Sequence, residues 1–372
     1  MAVDIFEDLF VLELANNHWG KLARGFKIID DFAEVVKKNG IHASVKLQFR
    51  NVDDFIHPDY RDAADIRYIK KTLDTQMPWD QLKAMVDRVR GHGMVAMATP
   101  FDEVSVDKCL EFGIQVLKIA SSDIRDKTLL RKMASAGLPV IASSGGADVH
   151  HLDTLVEYFT SRGIPFALNH CVSIYPSEDS ELELNQIDFL KARYPNITIG
   201  LSTHEQYDWH DSVQIAYGKG ARTFERHVDI DYEGVPVSPY CTKPDQADVW
   251  FKAFKKAKEM CGGPATAKRK VPAKERVYLD ALVRGVYVKR SLPAGHILTD
   301  DDVYLAVPLL KGQISTREFE SGEVLKLPLA ADEPVLLGDI DAGYVSDPEV
   351  RRLIPDRGID RRLPDVKFAV NQ

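Results

Sequence analysis

Two lysines stand inside short apolar runs of the kind that form buried strands. Lys46 lies in the run Ser-Val-Lys-Leu-Gln-Phe, and Lys118 lies in Val-Leu-Lys-Ile-Ala. Burying an unpaired lysine is costly, so two such residues predict a bound anion unless each faces solvent. Together with the hydroxyls of Ser121, Ser143 and Ser173 they predict a pocket for a phosphate and a carboxylate. A Schiff base formed by one lysine is the competing chemistry, and the spacing leaves it open.

Two histidines supply the second signal for chemistry. His204 and His227 close two consecutive β-rich runs. Neighbouring strands of a sheet lie about 4.8 Å apart, so the two imidazoles could bind one divalent cation and leave positions open for water and substrate. Glu13, at the end of the first run, would adjoin them in a closed barrel. The alternative interpretation is a pair of hydrogen-bonded core histidines.

The elements that must position these residues alternate along the first two thirds of the chain. Most of the β-rich runs are followed by an amphipathic helical pattern, which predicts parallel βαβ units and, with eight such runs, a closed (β/α)₈ (TIM) barrel. An open doubly wound sheet is the alternative, but the first run lacks the glycine-rich fingerprint of such sheets. The eight runs are residues 10–14, 43–49, 94–99, 115–120, 139–143, 165–170, 197–202 and 222–227.

Active sites of such barrels lie at the carboxyl-terminal ends of the strands. Nearly every predicted strand ends in a polar or ionisable side chain, which a purely structural barrel would not need. We therefore expect one site with contributions from all around the barrel. The candidate residues are Glu13, Lys46, Gln48, Thr99, Lys118, Ser121, Asp123, Ser143, Ser173, Tyr175, His204 and His227.

The character of the sequence changes after the predicted barrel, residues 1–262. Residues 262–281 contain a Gly-Gly pair, two prolines and a cluster of lysines and arginines, which predicts a linker over residues 263–282. Residues 283–341 predict a small, mostly β second domain, whose core would be marginal on its own. The remaining tail, residues 342–372, is rich in arginine, and its pattern indicates no role.

The composition is that of a globular protein with room for two domains. Of 372 residues, 45% are hydrophobic and 28% are charged, which excludes a disordered or fibrous chain. No apolar run is long enough to cross a bilayer and the first residues lack the layout of a signal peptide, so we expect a cytoplasmic protein with no membrane partner. The net charge of −8 argues against a nucleic-acid partner. Four scattered cysteines predict free thiols.

At these residues the chain resembles the sialic acid synthase family, the phosphoenolpyruvate-dependent nonulosonate synthases. The motifs follow the family order from the first strand to the eighth. The second domain resembles the antifreeze-like (SAF) domain of this family, through residues 292–295 and 297–299. The matching segments of the barrel are residues 13–20, 46–49, 118–121, 143–145, 170–176, 200–204 and 225–227.

The resemblance implies condensation of phosphoenolpyruvate with an aldose, which gives a 2-keto-3-deoxy acid and phosphate. His204 and His227 would hold a divalent ion, Mn²⁺ or Mg²⁺, and Glu13 would orient the sugar or assist proton transfer. The resemblance also implies a homodimer in which each SAF domain caps the barrel of the other subunit. Seven residues would hold phosphoenolpyruvate: Lys46, Thr99, Lys118, Ser121, Ser143, Ser173 and Tyr175.

The departures from the family pattern fall on the side of the acceptor sugar. Asp123 stands where the family often has a glutamate, and Ser238 stands where it has an aspartate that contacts the sugar. Val307 replaces an arginine that reaches into the partner's active site and recognises the N-acyl group. The segment between Phe49 and Trp79 is also shorter than in the family. We therefore expect an acceptor other than N-acetylmannosamine.

Two other functions fit parts of the same pattern. A metal or Schiff-base aldolase would cleave a 2-keto-3-deoxy sugar acid in the same kind of barrel, but it would release pyruvate and need no phosphate pocket. A non-catalytic carbohydrate-binding protein would use the SAF domain as its working part, and it would have no need for buried lysines. The synthase is favoured because the glutamate, both lysines and both histidines are all present.

Overall fold

The computed structural model describes residues 4–63, 65–264 and 266–360. It divides into two compact units, the first ending at Gly262 and the second beginning at Gly263. In the first unit eight parallel strands pair in chain order, and the first strand pairs with the eighth to close a barrel. The predicted (β/α)₈ barrel is therefore confirmed. Within the described ranges, no helix is both long and apolar enough to cross a membrane.

Strands and helices alternate around the barrel. The strands are β1 Leu9–Ala15, β2 Ala43–Phe49, β3 Val95–Pro100, β4 Val116–Ile119, β5 Val140–Ser143, β6 Phe166–Cys171, β7 Thr198–Ser202 and β8 Thr223–His227. The helices are α1 Leu22–Asn39, α2 Val52–Phe55, α3 Arg67–Asp74, α4 Trp79–Gly91, α5 Glu103–Phe112, α6 Lys127–Ser135, α7 Val149–Thr160, α8 Asn185–Arg193, α9 Asp211–Lys219 and α10 Pro244–Cys261.

The two faces of each strand serve different purposes because successive side chains point to opposite sides. On β1, Phe10 and Leu12 belong to the core between the strands and the helices. Leu9 and Val11 belong instead to a small apolar cluster with inward-facing residues of other strands. Glu13 continues this inward face beyond Val11. The barrel interior therefore changes from apolar to polar along the strand direction, which prepares a site at the carboxyl ends.

A glycine in β7 makes room for a hydrogen bond across the barrel interior. Gly200 is paired with Asn169 on β6 and with Thr223 on β8. The hydroxyl of Thr223 donates to Oδ1 of Asn169 at 2.6 Å. A Cβ atom at Gly200 would lie 1.8 Å from Oγ1 of Thr223 and 2.3 Å from Oδ1 of Asn169. Only glycine therefore allows β6 and β8 to approach each other in this way.

Gly200→Ala is expected to lower the free energy of unfolding of the barrel by about 3 kcal/mol, because the added methyl group displaces a packed polar pair. Gly218→Ala is the matched control, because Gly218 is exposed in α9 and a Cβ atom there would meet no other atom. We expect its free energy of unfolding to stay the same or to rise by up to about 1 kcal/mol. Urea unfolding followed by tryptophan fluorescence measures both, because all the tryptophans lie before residue 262. Equal stability of the two variants would contradict this packing.

The second unit is a small, mostly β domain, as predicted. Strands β9 (Gly285–Val288) and β10 (Val303–Ala306) pair antiparallel, and so do β11 (Val324–Leu325) and β12 (Ile340–Asp341). Its own hydrophobic core includes Val286, Leu298, Ile314 and Val335. The elements are α11 Ala273–Ala281, β9 Gly285–Val288, β10 Val303–Ala306, β11 Val324–Leu325, β12 Ile340–Asp341 and α12 Pro348–Leu353.

The linker and the tail differ from what the composition predicts. Residues 273–281 of the expected linker form α11. This helix contains several good helix formers, and none of its residues is buried. In the expected tail, Ile354 belongs to the core of the second unit, and Arg357 is paired with Glu318 at 2.6 Å. Residues 342–360 are thus part of the folded second unit, whereas residues 361–372 lie outside the described residues.

Candidate active site

A cavity of about 750 Å³ opens at the carboxyl-terminal ends of the barrel strands. The structure brings together at this cavity every candidate residue from the sequence except one. The predicted residues that line it are Glu13, Lys46, Gln48, Thr99, Lys118, Ser121, Ser143, Ser173, Tyr175, His204 and His227.

Asp123 is the candidate that does not line the cavity. It ends the short 3₁₀ turn Ser121–Asp123, which Ala120 separates from the end of β4. Successive residues of such a turn point in directions about 120° apart, so Ser121 and Asp123 face different surroundings. Burial raises the pKa of the Asp123 carboxyl. The structure therefore gives no support for a contact between Asp123 and a ligand in the cavity.

Four buried charged side chains form an ion cluster at the base of the cavity. The ammonium group of Lys46 contacts the carboxylates of Glu13 and Glu225, the latter at 2.9 Å. Nζ of Lys118 lies 4.0 Å from the other oxygen of Glu225 and donates to the hydroxyl of Ser143 at 2.6 Å. Two positive and two negative charges are thereby balanced in a buried layer, as low-dielectric surroundings require.

Burial and the neighbouring charges shift the pKa values of the two carboxyl groups in opposite directions. Burial, reinforced by the charge of Glu225, raises the pKa of Glu13. Burial opposes ionisation of Glu225 too, but Lys118 and Lys46 outweigh it and lower the pKa of Glu225 to about 2. Burial lowers the pKa of Lys118. Glu225 is thus the fixed anion of the cluster, whereas Glu13 is the carboxyl group best suited to take up a proton.

Hydroxyl groups and a glycine form an open cradle beside the lysines. A Cβ atom at Gly145 would lie 2.2 Å from Oγ of Ser173 and 2.7 Å from Oγ of Ser121. Glycine therefore keeps the space between these two hydroxyls free. The hydroxyl of Thr99 is buried and has no hydrogen-bond partner in the described part of the chain. Such donors can complete their hydrogen bonding only with a ligand or water.

The two histidines lie together on the opposite side of the cavity. Their ring centroids are 5.5 Å apart, and the ring of Tyr175 lies 4.0 Å from that of His204. Nδ1 of His204 is 2.9 Å from the carbonyl oxygen of Val172, which leaves Nε2 available. Burial lowers the pKa of His204 to about 4 and also lowers the pKa of His227 well below its usual value. Both imidazoles are therefore neutral at physiological pH, the form that binds metals.

The donor set at this pair fits two ligands of a divalent ion. Two neutral imidazoles leave the remaining positions to water and to substrate oxygens, as in open catalytic sites. Across residues 4–63, 65–264 and 266–360, no group of three or more His, Cys, Asp and Glu side chains is arranged around a common metal position. The protein would thus supply two ligands and the substrate or solvent the others.

Several residues that line the cavity are not predicted by the sequence analysis. Glu225 had a usable signal, because it lies two residues before His227 and a strand places such residues on one face. Arg50 gave no such signal in the sequence. Its guanidinium group stacks on the ring of Phe101 at 3.6 Å, and this contact between two strand ends cannot be seen from spacing along the chain. The unpredicted residues of the cavity wall include Arg50, Tyr68, Lys71, Thr72, Arg125, Gly145, Glu225 and Tyr240.

A buried arginine on the outward face of β8 holds the loop that carries His204. Nη1 of Arg226 donates to Oε1 of Glu205 at 2.7 Å, and Nη2 donates to the Glu205 carbonyl at 2.9 Å. Its Nε donates to Oγ1 of Thr242 at 3.0 Å. Because Glu205 directly follows His204, these bonds fix the position of the imidazole relative to β8.

A second buried arginine ties together the loops that follow β1 and β8. Nε of Arg24 donates to the carbonyl of Asn17 at 2.6 Å, and Nη1 donates to that of Tyr232 at 2.7 Å. Nη2 donates to Asp229 at 2.6 Å. Asn17 lines the cavity and donates to the carbonyl of Val228 at 2.8 Å. Hydrogen bonds from a buried guanidinium group therefore hold the rim near His227.

The chain matches two known families. Residues 33–263 match the model of the NeuB family. The chain belongs to the NeuB family. Residues 283–341 match the SAF domain, so both parts of the resemblance drawn from the motifs are confirmed.

This NeuB-family chain is similar to several named relatives and solved structures. It is 34% identical to a protein of Chromobacterium violaceum assigned as spore coat polysaccharide biosynthesis protein E, with a TM-score of 0.85 over 90% of this chain and 100% of that one. It is 26% identical to the N-acetylneuraminic acid synthetase of Leptospira borgpetersenii, with a TM-score of 0.63 over 73% and 90%. It is 24% identical to a pseudaminic acid synthase of Campylobacter jejuni, over 85% and 94%.

Glu225→Gln is expected to lower the free energy of unfolding by about 3–5 kcal/mol, because it leaves two buried lysines opposite a single carboxylate. Adding Lys118→Met to this variant should restore most of the stability, since the charges balance again. Glu157→Gln, on the exposed face of α7, is the control and should change nothing. Urea unfolding measures all three. A Glu225→Gln variant as stable as the control would show that the ion cluster does not hold the barrel together.

Proposed function

We propose that the protein condenses phosphoenolpyruvate with an aldose, forming a 2-keto-3-deoxy sugar acid and phosphate. The observation that carries this proposal is the pair of buried lysines beside a hydroxyl cradle, in one cavity with two neutral histidines. The similarity to proteins named as pseudaminic acid and N-acetylneuraminic acid synthases supports it. A sugar-binding module has no use for ammonium groups buried at such cost.

The donor side of the cavity, which we define as Lys46, Lys118, Ser121, Ser143 and Ser173, would bind phosphoenolpyruvate. Its ammonium groups and hydroxyls suit the phosphate and the carboxylate. Thr99, Gln48 and Tyr175 line the same cavity and would complete the contacts. The open space at Gly145 lets the ligand approach the two hydroxyls beside it.

The charges of the ion cluster leave little net attraction for a multiply charged anion. Lys46 and Lys118 are offset by Glu13 and Glu225. Arg50 and Arg125 line the cavity in addition, and neither has a carboxylate within salt-bridge distance in the described ranges. We therefore propose that these two arginines supply the positive charge that neutralises phosphoenolpyruvate.

We propose that Mn²⁺ or Mg²⁺ binds at His204 and His227. The neutral imidazoles and the free Nε2 of His204 support this. When bound there, the ion serves as a Lewis acid for the aldehyde of the acceptor. The Val172 carbonyl and the Arg226–Glu205 contacts orient His204, so the imidazole that would hold the ion has a fixed position in the cavity.

In the reaction, C3 of phosphoenolpyruvate attacks the aldehyde carbon, water adds to C2, and the C2–O bond breaks to release phosphate. Lys46 and Lys118 stabilise the negative charge of the donor throughout. Glu225 stays ionised and keeps both ammonium groups charged. Glu13, whose pKa is raised by burial, assists proton transfer at the acceptor oxygen or the attacking water.

The acceptor is proposed to differ from N-acetylmannosamine. Ser238 lacks a carboxylate and does not line the cavity, and Val307 lacks the charge of the family's arginine.

We also propose a homodimer in which the SAF domain caps the partner's barrel, on the strength of the family resemblance. The free cysteines fit a reducing, cytoplasmic setting, with neither nucleic acid nor membrane as partner.

Phosphate release from phosphoenolpyruvate, with Mn²⁺ and a panel of neutral and phosphorylated aldoses, tests the proposal. We expect release that depends on one aldose and is abolished by EDTA. His204→Ala and His227→Ala should each lower kcat/KM by about 100-fold or more. His151→Gln, on α7 and outside the cavity, is the control and should be fully active.

Two results would contradict the proposal. Release of pyruvate from a 2-keto-3-deoxy acid without phosphate turnover would indicate an aldolase. No binding of phosphoenolpyruvate would leave the donor side without its ligand and favour a binding protein. Fastest turnover with N-acetylmannosamine would overturn only the acceptor assignment.

A further inference from the structure

The two histidines of the cavity are held in different ways. Nδ1 of His204 lies 2.9 Å from the carbonyl oxygen of Val172, which fixes the orientation of that ring. Within residues 4–63, 65–264 and 266–360, no protein group forms a hydrogen bond with either ring nitrogen of His227. An imidazole that holds a metal usually has such a bond, because the bond sets its orientation. His227 must therefore be oriented by other contacts.

Aromatic rings take the place of that hydrogen bond. The ring centroid of Tyr240 lies 5.2 Å from that of His227, with an angle of 83° between the ring planes. The ring of Tyr175 meets the same imidazole at 5.9 Å and 80°. Tyr175 and Tyr240 also contact each other, at 5.3 Å and 75°. Edge-to-face packing is a preferred arrangement of aromatic rings, and two such contacts restrict rotation of the imidazole about its χ2 bond.

Tyr240 is the member of this ring cluster that has no role so far. Tyr175 also packs on His204 at 4.0 Å, and the proposed function already places it beside the donor. Tyr240 lines the cavity from the loop after β8. Among the described residues, its ring contacts are with Tyr175 and His227. Its position is therefore suited to orient His227.

The main chain ties Tyr240 to the strand that carries His227. The amide of Thr242 donates to the carbonyl oxygen of His227 at 2.7 Å, and the amide of Asp229 donates to the carbonyl oxygen of Thr242 at 3.1 Å. The hydroxyl of Thr242 accepts from Nε of Arg226 at 3.0 Å. The chain just after Tyr240 thus runs alongside the end of β8, held there by main-chain and side-chain hydrogen bonds. The ring of Tyr240 is therefore kept in place relative to His227.

We propose that Tyr240 is a positioning residue, whose ring sets the orientation of His227 for a divalent ion held by the two histidines. The inference rests on the proposed function, since that function places the ion there. The aromatic ring carries this role and the hydroxyl group does not, because the contacts with His227 and Tyr175 are ring contacts. Without the ring, His227 is free to rotate and the ion is held less firmly, while the donor side keeps its own contacts.

Binding of Mn²⁺ to the full chain, followed by the EPR signal of the free ion, tests the inference without turnover. Tyr240→Leu keeps an apolar side chain but removes the ring, and it should weaken Mn²⁺ binding by about 10-fold or more, the usual effect of losing a group that orients a metal ligand. Tyr240→Phe keeps the ring and should bind Mn²⁺ as the native protein does. Tyr207→Leu is the control, because Tyr207 is 82% exposed and does not line the cavity. The affinity for phosphoenolpyruvate, measured by calorimetry, should be unchanged in all three variants.

Turnover at increasing Mn²⁺ concentration separates this role from a contact with the acceptor. The kcat of Tyr240→Leu should approach the native value at saturating Mn²⁺, because excess ion offsets its weaker binding. The KM for the aldose should then be native as well. A KM for the aldose that stays raised at saturating Mn²⁺ would mean that Tyr240 contacts the sugar, and it would overturn the inference.

Two results of the binding experiment would also overturn the inference and leave the proposed function standing. One is native Mn²⁺ affinity in a folded Tyr240→Leu variant, and the other is an equal loss of affinity in Tyr240→Phe. Tyr240→Met carries the same prediction if Tyr240→Leu does not fold. Failure of the native protein to bind Mn²⁺ would instead overturn the metal site of the proposed function, and this inference with it.

Discussion

The balance of charge inside the barrel is the constraint on which the rest of the site depends. Lys46 and Lys118 are buried in a layer where, among the residues that the structure describes, Glu13 and Glu225 alone offset them. Losing one partner would leave an uncompensated charge in a low-dielectric interior. The register of the strands is therefore fixed by electrostatics as well as by packing, since Glu13 must stand opposite Lys46 on β2 and beside His227 on β8. The same groups that hold the barrel together prepare it for an anionic donor.

The structure divides the support of the site between strands and arginines. The strands carry the ion cluster and set its height above the apolar layer. The loops after β1, β7 and β8 carry the histidine side, and buried guanidinium groups hold them. Arg24 and Arg226 each bond several main-chain or carboxylate oxygens, so these loops gain the rigidity that a reactive geometry requires.

The sequence predicts well what alternation and burial control. Lys46 and Lys118 stand out because they interrupt apolar runs, and the period of a strand places both inside the barrel. His204 and His227 follow from the ends of neighbouring strands. Glu225 could have been predicted by the same rule, two residues before His227, but it lies next to Arg226 and the pair looks like a solvated ion pair. In the structure the two face opposite sides of β8.

What the sequence does not predict depends on irregular segments. Lys71 reaches the cavity only because α3 forms in the long connection between β2 and β3 and folds back towards β1. Asp123 misses the cavity because the chain enters a 3₁₀ turn at Ser121. Residues 273–281 form a helix despite the flanking proline and basic residues typical of linkers. In each case the outcome follows from three-dimensional packing or turn geometry, which spacing along the chain does not encode.

The most direct test of the account is the fate of the bridging oxygen of phosphoenolpyruvate. The donor is labelled with ¹⁸O between C2 and phosphorus and turned over with Mn²⁺ and the productive aldose, and the products are examined by ³¹P NMR and mass spectrometry. The account predicts that the label leaves with inorganic phosphate, because the C2–O bond breaks after water adds to C2. Label retained in the sugar acid would mean that the P–O bond breaks, and it would contradict the proposed chemistry.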